Sequence, residues 1–311
     1  MNRDNSAPPD TVLVTGASGL LGNAVVARLR ARGSRVVATD LTPRSSDVIA
    51  CDVTDGAALD AIVVREGVTG IVHCGAISGP MLSRDAPRTI IDINIGGTTN
   101  VLETARLRHL RRVVFCSSIT VYGNTAEAAV PETTATTPTS VYAATKVAGE
   151  ALISAYTAQY GVDGIALRLG TVYGPGRRTA CFVRTMLENA RDGSPTVLPF
   201  GRDFPRQYIF VDDAAEAIVR AWDVESPEHR VFNVTAGSHL TMAGVAEVAA
   251  GVVPGITVRL EDGPDPDDPD RQGPLSLDRV EAELGFHAHW TLAEGIRTYA
   301  GTLFEEAGNH D

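Results

Sequence analysis

TVLVTGASGLLG, Thr11 to Gly22, sets four β-branched or apolar residues directly before a turn with three glycines spaced three apart. Thr11 to Val14 is continuous, without the polar alternation of a half-exposed strand, and so suits a central parallel strand covered on both faces. The glycines that follow have separate uses. Gly16 permits a sharp turn, Gly19 lets backbone approach an anion with no side chain between, and Gly22 lets the next helix pack against the strand. Ser18 and Leu20 belong to the same turn, and the helix N-terminus there aims unpaired N–H groups at the anion. Strand, glycine turn and helix in this order make a phosphate-binding layout.

Downstream residues extend the phosphate site to a dinucleotide. Leu20 to Arg32 carries apolar residues at helical spacing and stops at Gly33. Ser34 to Asp40 is a second strand, and Asp40 falls about 20 positions past the glycine turn, where a carboxylate accepts hydrogen bonds from adenosine ribose hydroxyls. A carboxylate there repels a 2′-phosphate, which favours NAD over NADP, although Arg44 nearby offsets part of that repulsion. Val48 to Asp52 is a third strand. Asp52 and Val53 stand where a loop covers the adenine; equally, Asp52 stands with Thr54 and Asp55 at the cap of the next helix. Gly70 to Cys74 is the fourth strand, the small Gly75 and Ala76 after it admit a cofactor close to the backbone, and Ser78 faces the substrate. His73 reads as a core residue. The pattern predicts an α/β fold, a Rossmann-type doubly wound parallel sheet.

The chain has 311 residues, 44% hydrophobic and 21% charged, enough for a sizeable core in a soluble protein. Its net charge of −11 argues against nucleic acid or an anionic membrane as partner. No apolar run reaches the roughly 18 residues of a membrane span. The opening MNRDNSAPPD lacks the apolar centre of a signal peptide and reads as a disordered tail, residues 1–10, so a cytoplasmic location is expected. Cys51, Cys74, Cys116 and Cys181 form no CxxC pair and the histidines no HxxxH spacing. No metal is therefore expected, and the thiols read as small buried hydrophobes.

Ala86 to Arg106 reads as one long helix with Asn94 near its middle, a poor helix former whose amide joins the strand behind it or a water path to the site. Arg112 to Ser117 is a fifth strand running into SSITVYG. Ser118 and Thr120 thus lie at the carboxyl end of a parallel strand, facing the ligand crevice. After a loop rich in Thr, Ala and Pro from Asn124 to Thr139, a helix starts near Ser140. Tyr142 and Lys146, four apart, share one face of it. A free tyrosine ionises near roughly pH 10 and is a poor base at neutrality, whereas an ammonium held close favours the phenolate. With a serine hydroxyl on the same substrate oxygen, such a pair moves a proton while a nicotinamide exchanges hydride with the carbon. Glu261 to Asp270, EDGPDPDDPD, has prolines that prevent the turn of a calcium loop, and reads as a solvated surface loop.

Taken together and in this order, TGASGLLG, Asp40, NIGGT, SSITVYG and YAATK resemble the extended short-chain dehydrogenase/reductase family, in particular its NAD-dependent epimerase/dehydratase branch acting on nucleotide sugars. The resemblance implies Ser118, Tyr142 and Lys146 as the catalytic triad, Lys146 also holding the nicotinamide ribose. It implies Gly16, Ser18, Gly19, Leu20, Gly22, Asp40, Asp52, Val53, Gly75, Ala76 and Asn94 as NAD contacts with Tyr142 and Lys146. Ser78, Ser118, Thr120, Arg206 and Arg271 are implied on the substrate side. By the same resemblance, Ile165 to Gly176 brings substrate over the nicotinamide and Arg206 to Asp213 offers an arginine to a sugar nucleotide's pyrophosphate. Val231 to Val234 leads to a small C-terminal lobe, and LSLDRVEAELGF from Leu275 is the closing helix. Residues 11–170, with a return near 204–235, would form the NAD-binding domain and 171–311 mostly the substrate-binding lobe. A homodimer through two helices per subunit is the family expectation.

Two departures from the family pattern bear on the substrate. Gly170 stands where sugar-nucleotide members carry a phosphate-binding asparagine, and Ile119 and Thr120 replace the acid pair of 4,6-dehydratases, which removes dehydration. Three readings follow. An NAD-dependent 4-epimerase of a nucleotide sugar is favoured by Arg206 and Arg271. An NAD-dependent dehydrogenase of a free sugar, sugar acid or related alcohol is favoured by Gly170 and Ser78. A non-catalytic dinucleotide sensor has no use for Ser118, Tyr142 and Lys146 at active spacing.

Overall fold

Strand and helix alternate from Thr11 onward and build one parallel sheet. Its strands are β1 (Thr11–Thr15), β2 (Arg35–Asp40), β3 (Val48–Ala50), β4 (Gly70–His73), β5 (Arg112–Ser118), β6 (Gly164–Leu169) and β7 (Val231–Val234). The computed structural model describes residues 10–79, 82, 83, 85–126 and 128–308; residues 1–9 of the expected tail lie outside them. The strands lie in the order β7-β6-β5-β4-β1-β2-β3. Every position of β1, β4, β5 and β6 is buried, as expected for parallel strands covered on both faces.

Helices cover both faces. Val25 and Leu29 of the Leu20–Ala31 helix pack with Ile218 and Trp222 of the Val211–Asp223 helix on one side. On the other, Leu59 and Ile62 of Gly56–Glu66 meet Leu102 of Gly97–Leu107 and Ile153 of Val141–Tyr160. β1 is followed outward by β2 and β3, whereas β4 to β7 continue from its other side. The winding therefore reverses between β1 and β4, and the connections leaving their carboxyl ends diverge and open a crevice.

Pro87 to Leu107 is helical throughout, as expected, but Asp92–Gly96 within it is a π turn. A second apolar cluster lies beyond the sheet. It joins Phe182 and Met186 of Phe182–Arg191, Val245 of Met242–Val252, and Ile296 and Tyr299 of Leu292–Gly308. Two-residue and three-residue strand pairs tie these helices to the sheet side, among them Thr171–Tyr173 parallel to Tyr208–Phe210. The expected closing helix is shorter than its segment, Asp278–Leu284, and it does not close the chain: Leu292–Gly308 follows it and seals this cluster. Gly285, in the left-handed conformation, stops the earlier helix.

Candidate active site

The glycine turn is shaped by close backbone contact. Gly16 has φ +66°, and a Cβ there would stand 2.8 Å from the Cys74 carbonyl carbon and the Gly75 nitrogen at the end of β4. A Cβ on Gly22 would run into the Gly16 carbonyl oxygen, which is why the helix can start so close to the turn. Gly19 is the N-cap of that helix, and no side chain caps it. Its first-turn N–H groups are therefore available to an anion. Asp40 holds the turn from β2: one carboxylate oxygen accepts from the Ser18 N–H at 2.9 Å, the other from the Thr42 N–H at 2.9 Å. Asp52 accepts from the Thr54 N–H at 2.8 Å, while Asp55 accepts from the Ala58 N–H and is the cap of the next helix.

Behind the opposite wall a buried relay runs inward from the crevice. The Gly75 N–H donates to Thr15 Oγ1 (3.0 Å), and Thr15 Oγ1 lies 2.7 Å from His73 Nδ1. His73 Nε2 lies 3.3 Å from Thr98 Oγ1, which donates to the Asn94 carbonyl at 2.6 Å. The network assigns the proton to Nε2 of a neutral ring. Burial, with the Lys146 charge, pushes the His73 pKa down to about 3. His73 is thus the core residue expected. Asn94, expected among the NAD contacts or as a link to the strand behind it, sits behind the crevice wall, 3% exposed. Its side chain accepts from the Ile77 N–H (2.8 Å) and donates to the Ile77 carbonyl (3.1 Å) and Thr145 Oγ1 (3.0 Å). It fastens the loop after β4 to the helix that carries Tyr142.

That helix, Val141–Tyr160, is capped by Ser140, whose hydroxyl accepts from the Ala143 N–H at 3.2 Å. It lies so close to β5 that a Cβ on Gly149 would stand 2.5 Å from the Phe115 ring. One face therefore presents Tyr142, Lys146 and Glu150 to the sheet, all buried. Glu150 is anchored by Arg168 at 2.6 Å and by the Ser117 hydroxyl at 2.5 Å. Lys146 Nζ donates to the Cys116 carbonyl at 2.8 Å and stands 5.7 Å from the Tyr142 ring centroid. Ser118, at the end of β5, accepts from the Thr120 hydroxyl at 2.9 Å and from its N–H at 3.2 Å. The Tyr142 hydroxyl makes no hydrogen bond among the described residues. Ser118, Tyr142 and Lys146 line one crevice of ≈ 890 Å³ together with Gly16, Ser18, Gly19, Leu20, Gly22, Asp40, Asp52, Val53, Gly75 and Ala76.

At the far end the same crevice is lined by Ser78, Thr120 and Arg206, and here the structure corrects two expectations. EDGPDPDDPD is not a solvated loop throughout. Asp265, Asp267, Asp268 and Asp270 line the crevice, and Asp270 is buried, accepting from Thr139 Oγ1 (2.5 Å) and Asn124 (3.2 Å). Arg206 donates to Asp265 at 3.3 Å and to the Asp268 carbonyl at 3.1 Å, so the arginine expected to meet a diphosphate already has anionic partners. Burial raises the Asp268 pKa, against the pull of Arg206. Arg271 leaves the crevice: it pairs with Asp203 at 2.6 Å, across the Phe204 ring on which both arginines stack. Gly170 is backed by the chain itself, since a Cβ there would stand 2.8 Å from the Gln207 carbonyl oxygen.

Against this geometry, the family model "NAD dependent epimerase/dehydratase family" matches residues 12–235. The chain belongs to that family. UDP-glucose 4-epimerase of Mycolicibacterium smegmatis is 31% identical to this family member over 309 residues, covering 91% of this chain and 95% of the relative. UDP-glucuronate 4-epimerase 1 of Arabidopsis thaliana is 28% identical over 76% of this chain, which spans 63% of that longer relative. The solved structure of MoeE5 in complex with UDP-glucose and NAD superposes with a TM-score of 0.87 at 27% identity, covering 96% of this chain and 99% of MoeE5.

The family's NAD fits what this chain presents. The Ser18 hydroxyl is buried beside the glycine turn with no partner among the described residues, an orphan that a pyrophosphate oxygen would satisfy. The backbone contacts of Gly16 and Gly22 leave that turn free of side chains. Sequence reasoning missed Arg178, whose guanidinium donates to the Ser18 carbonyl at 2.5 Å and carries the Gly176–Cys181 segment across the cofactor end of the crevice. It also missed Gln207, His239 and Gln272 at the substrate end. These three come from irregular segments far apart in the chain, where no periodicity marks them; the paired arginines after GPG were the one available signal for Arg178.

Proposed function

We propose that this NAD-dependent enzyme is a 4-epimerase of a nucleotide sugar. The observation that carries the reading is Tyr142, its hydroxyl unpartnered in the crevice with Lys146 and Ser118 beside it. Ser118 and Tyr142 bind the reacting sugar hydroxyl. Ser118 keeps its own O–H for that oxygen, because its lone pairs accept from Thr120. Tyr142 takes the hydroxyl proton, the Lys146 ammonium favours the phenolate, and Tyr142 later returns the proton. Bound NAD supplies a hydride acceptor beside the carbon and a donor for the return, with its ribose on Lys146, its pyrophosphate at Ser18 and Gly19, and its adenosine at Asp40, Asp52 and Val53. Epimerisation needs the ketosugar to turn over between the two transfers.

In this reading residues 11–170, with a return near 204–235, hold the cofactor and 171–311 mostly hold the substrate. Ile91, Leu107, Val141 and Tyr160 leave apolar side chains exposed on the Pro87–Leu107 and Val141–Tyr160 segments, which supports a homodimer built on those helices. Four free cysteines support the reducing cytoplasm. A second reading, NAD-dependent oxidation of a free sugar or sugar acid, is favoured by one observation: Arg206 is already paired with Asp265. Absorbance at 340 nm with NAD, against UDP-sugars, dTDP-sugars, free aldoses and sugar acids, separates them. The expected outcome is isomerised nucleotide sugar without net NADH; steady NADH on a free sugar or acid would replace the first reading by the second.

A further inference from the structure

Cys74 and Cys116 are brought together by sheet register. β4 and β5 pair through His73 opposite Phe115, and one residue further on Cys74 comes opposite Cys116. Strand alternation puts the two rings on one face, stacked at 6.0 Å, and the two thiols on the other, where their sulfurs lie 3.5 Å apart. Both cysteines line the crevice. Neighbouring parallel strands stand about 4.8 Å apart, within the span a disulfide bridges. From these positions we propose that Cys74 and Cys116 are an oxidisable dithiol, converted by hydrogen peroxide to a disulfide that weakens NAD binding.

The two thiols differ in a way that suits the reaction. The hydrogen bond shared with Cys74, together with the Lys146 charge, holds the Cys116 thiol below the usual thiol range against the effect of burial. The same bond and burial push Cys74 up. The Cys116 thiolate is therefore the attacking sulfur. It attacks one peroxide oxygen; an S–O bond forms, the O–O bond breaks, and the departing hydroxide takes a proton to become water. Cys74 then loses its proton and attacks that sulfur; the S–S bond forms, the S–O bond breaks, and a second water leaves. Two thiols are oxidised by two electrons and one peroxide is reduced.

The bond reaches the cofactor site through the backbone. Sulfurs 3.5 Å apart must close to about 2 Å, which turns both side chains and loads the strand ends that carry them. Cys74 leads directly into Gly75, and the Gly16 turn rests on their peptide with no room for even a Cβ. The Cys116 carbonyl is the anchor of Lys146. NAD in the crevice covers the thiols and slows their oxidation.

The test uses the full-length protein stripped of NAD, treated with hydrogen peroxide, blocked with N-ethylmaleimide and mapped without reduction. The expected result is a linked pair of peptides carrying Cys74 and Cys116, lighter by two hydrogens than their sum, while Cys51 and Cys181 carry the blocking group. The linked form should bind NAD at least tenfold more weakly in titration calorimetry, and dithiothreitol should restore affinity. Saturating NAD during the peroxide step should reduce the linked yield. Separately blocked peptides after peroxide would overturn the assignment, and linkage with unchanged NAD affinity would overturn its coupling to the cofactor. A Cys116→Ser variant, which lacks the attacking sulfur, should if it folds keep its NAD affinity through mild peroxide treatment; loss of affinity there, restored by dithiothreitol, would also overturn it.

Discussion

In the proposed reaction Tyr142 and Lys146 would divide the chemistry between a hydroxyl without a partner among the described residues and an ammonium anchored through one of its three donors. Lys146 has its donor to the Cys116 carbonyl and a place 4.9 Å from the Phe115 ring centroid, so its charge is fixed in position before substrate arrives. Preorganisation of this kind removes the cost of arranging the charge during the reaction. Tyr142→Phe keeps the ring's packing and deletes only the hydroxyl. Its expected effect is a loss of kcat on the order of 10²–10⁴-fold with NAD binding retained. Steady-state rates and NAD titration check it, and undiminished turnover would remove Tyr142 from the chemistry. Asn94 works in a different way. Its amide makes three hydrogen bonds from within a π turn, so the residue that looked unsuited to a helix fixes the loop against the catalytic helix.

At the element scale, two irregular segments line the ends of the crevice. Gly176–Cys181 crosses the cofactor end of the crevice and is latched by Arg178 on the Ser18 carbonyl. Arg178→Ala removes this bond without changing a residue of the glycine turn. NAD release should become about fivefold faster, the worth of roughly one net hydrogen bond, as read by stopped-flow fluorescence. An unchanged rate would mean that the segment is not the barrier to release. At the other end, residues 261–270 bring Asp265 and Asp268 to Arg206. A diphosphate must displace these carboxylates to reach the guanidinium, and the repulsion between anions adds to that cost. Asp265→Asn with Asp268→Asn should therefore tighten UDP binding about tenfold in calorimetry. Unaltered affinity would show that Arg206 does not meet the phosphates.

For the whole molecule, the buried His73 makes stability depend on pH. In the unfolded chain a histidine ionises near roughly pH 6.5, whereas burial holds folded His73 down to about 3. Below the unfolded value the unfolded chain binds a proton that the folded chain refuses, so this contribution is complete above about pH 6.5 and lost as pH falls toward 3. The slope is about 1.4 kcal/mol per pH unit across that window. Denaturant unfolding at pH 7 and pH 5 should show a fall of about 2 kcal/mol from this group. His73→Asn should lower stability at pH 7 but flatten the difference between the two pH values. An equal pH difference in both proteins would mean that His73 is protonated in the fold.

Local pattern fixed much of this protein before any tertiary information. The continuous apolar run Thr11–Val14, the glycine spacing and the four-residue step from Tyr142 to Lys146 are short-range signals set by strand and helix periods. They carried the fold class, the glycine turn, Ser118, Tyr142 and Lys146 into one crevice. Asp40 and Asp52 were legible for the same reason, each ending a strand or opening a loop at a fixed distance from the turn. The rest depended on partners distant in the chain. Whether Arg206 is free or paired was decided by a loop about 60 residues later, and whether Arg271 enters the crevice by Asp203 about 70 residues earlier. The partners of Asn94 were set by Ile77 and Thr145, which satisfy its amide from either side. Cys74 and Cys116, far apart in sequence and without a motif, meet because β4 and β5 are neighbours in register. The sequence determined by itself what one turn of helix or one strand can specify; hydrogen-bond and charge pairing across long loops, which has no period, was decided by the tertiary structure alone.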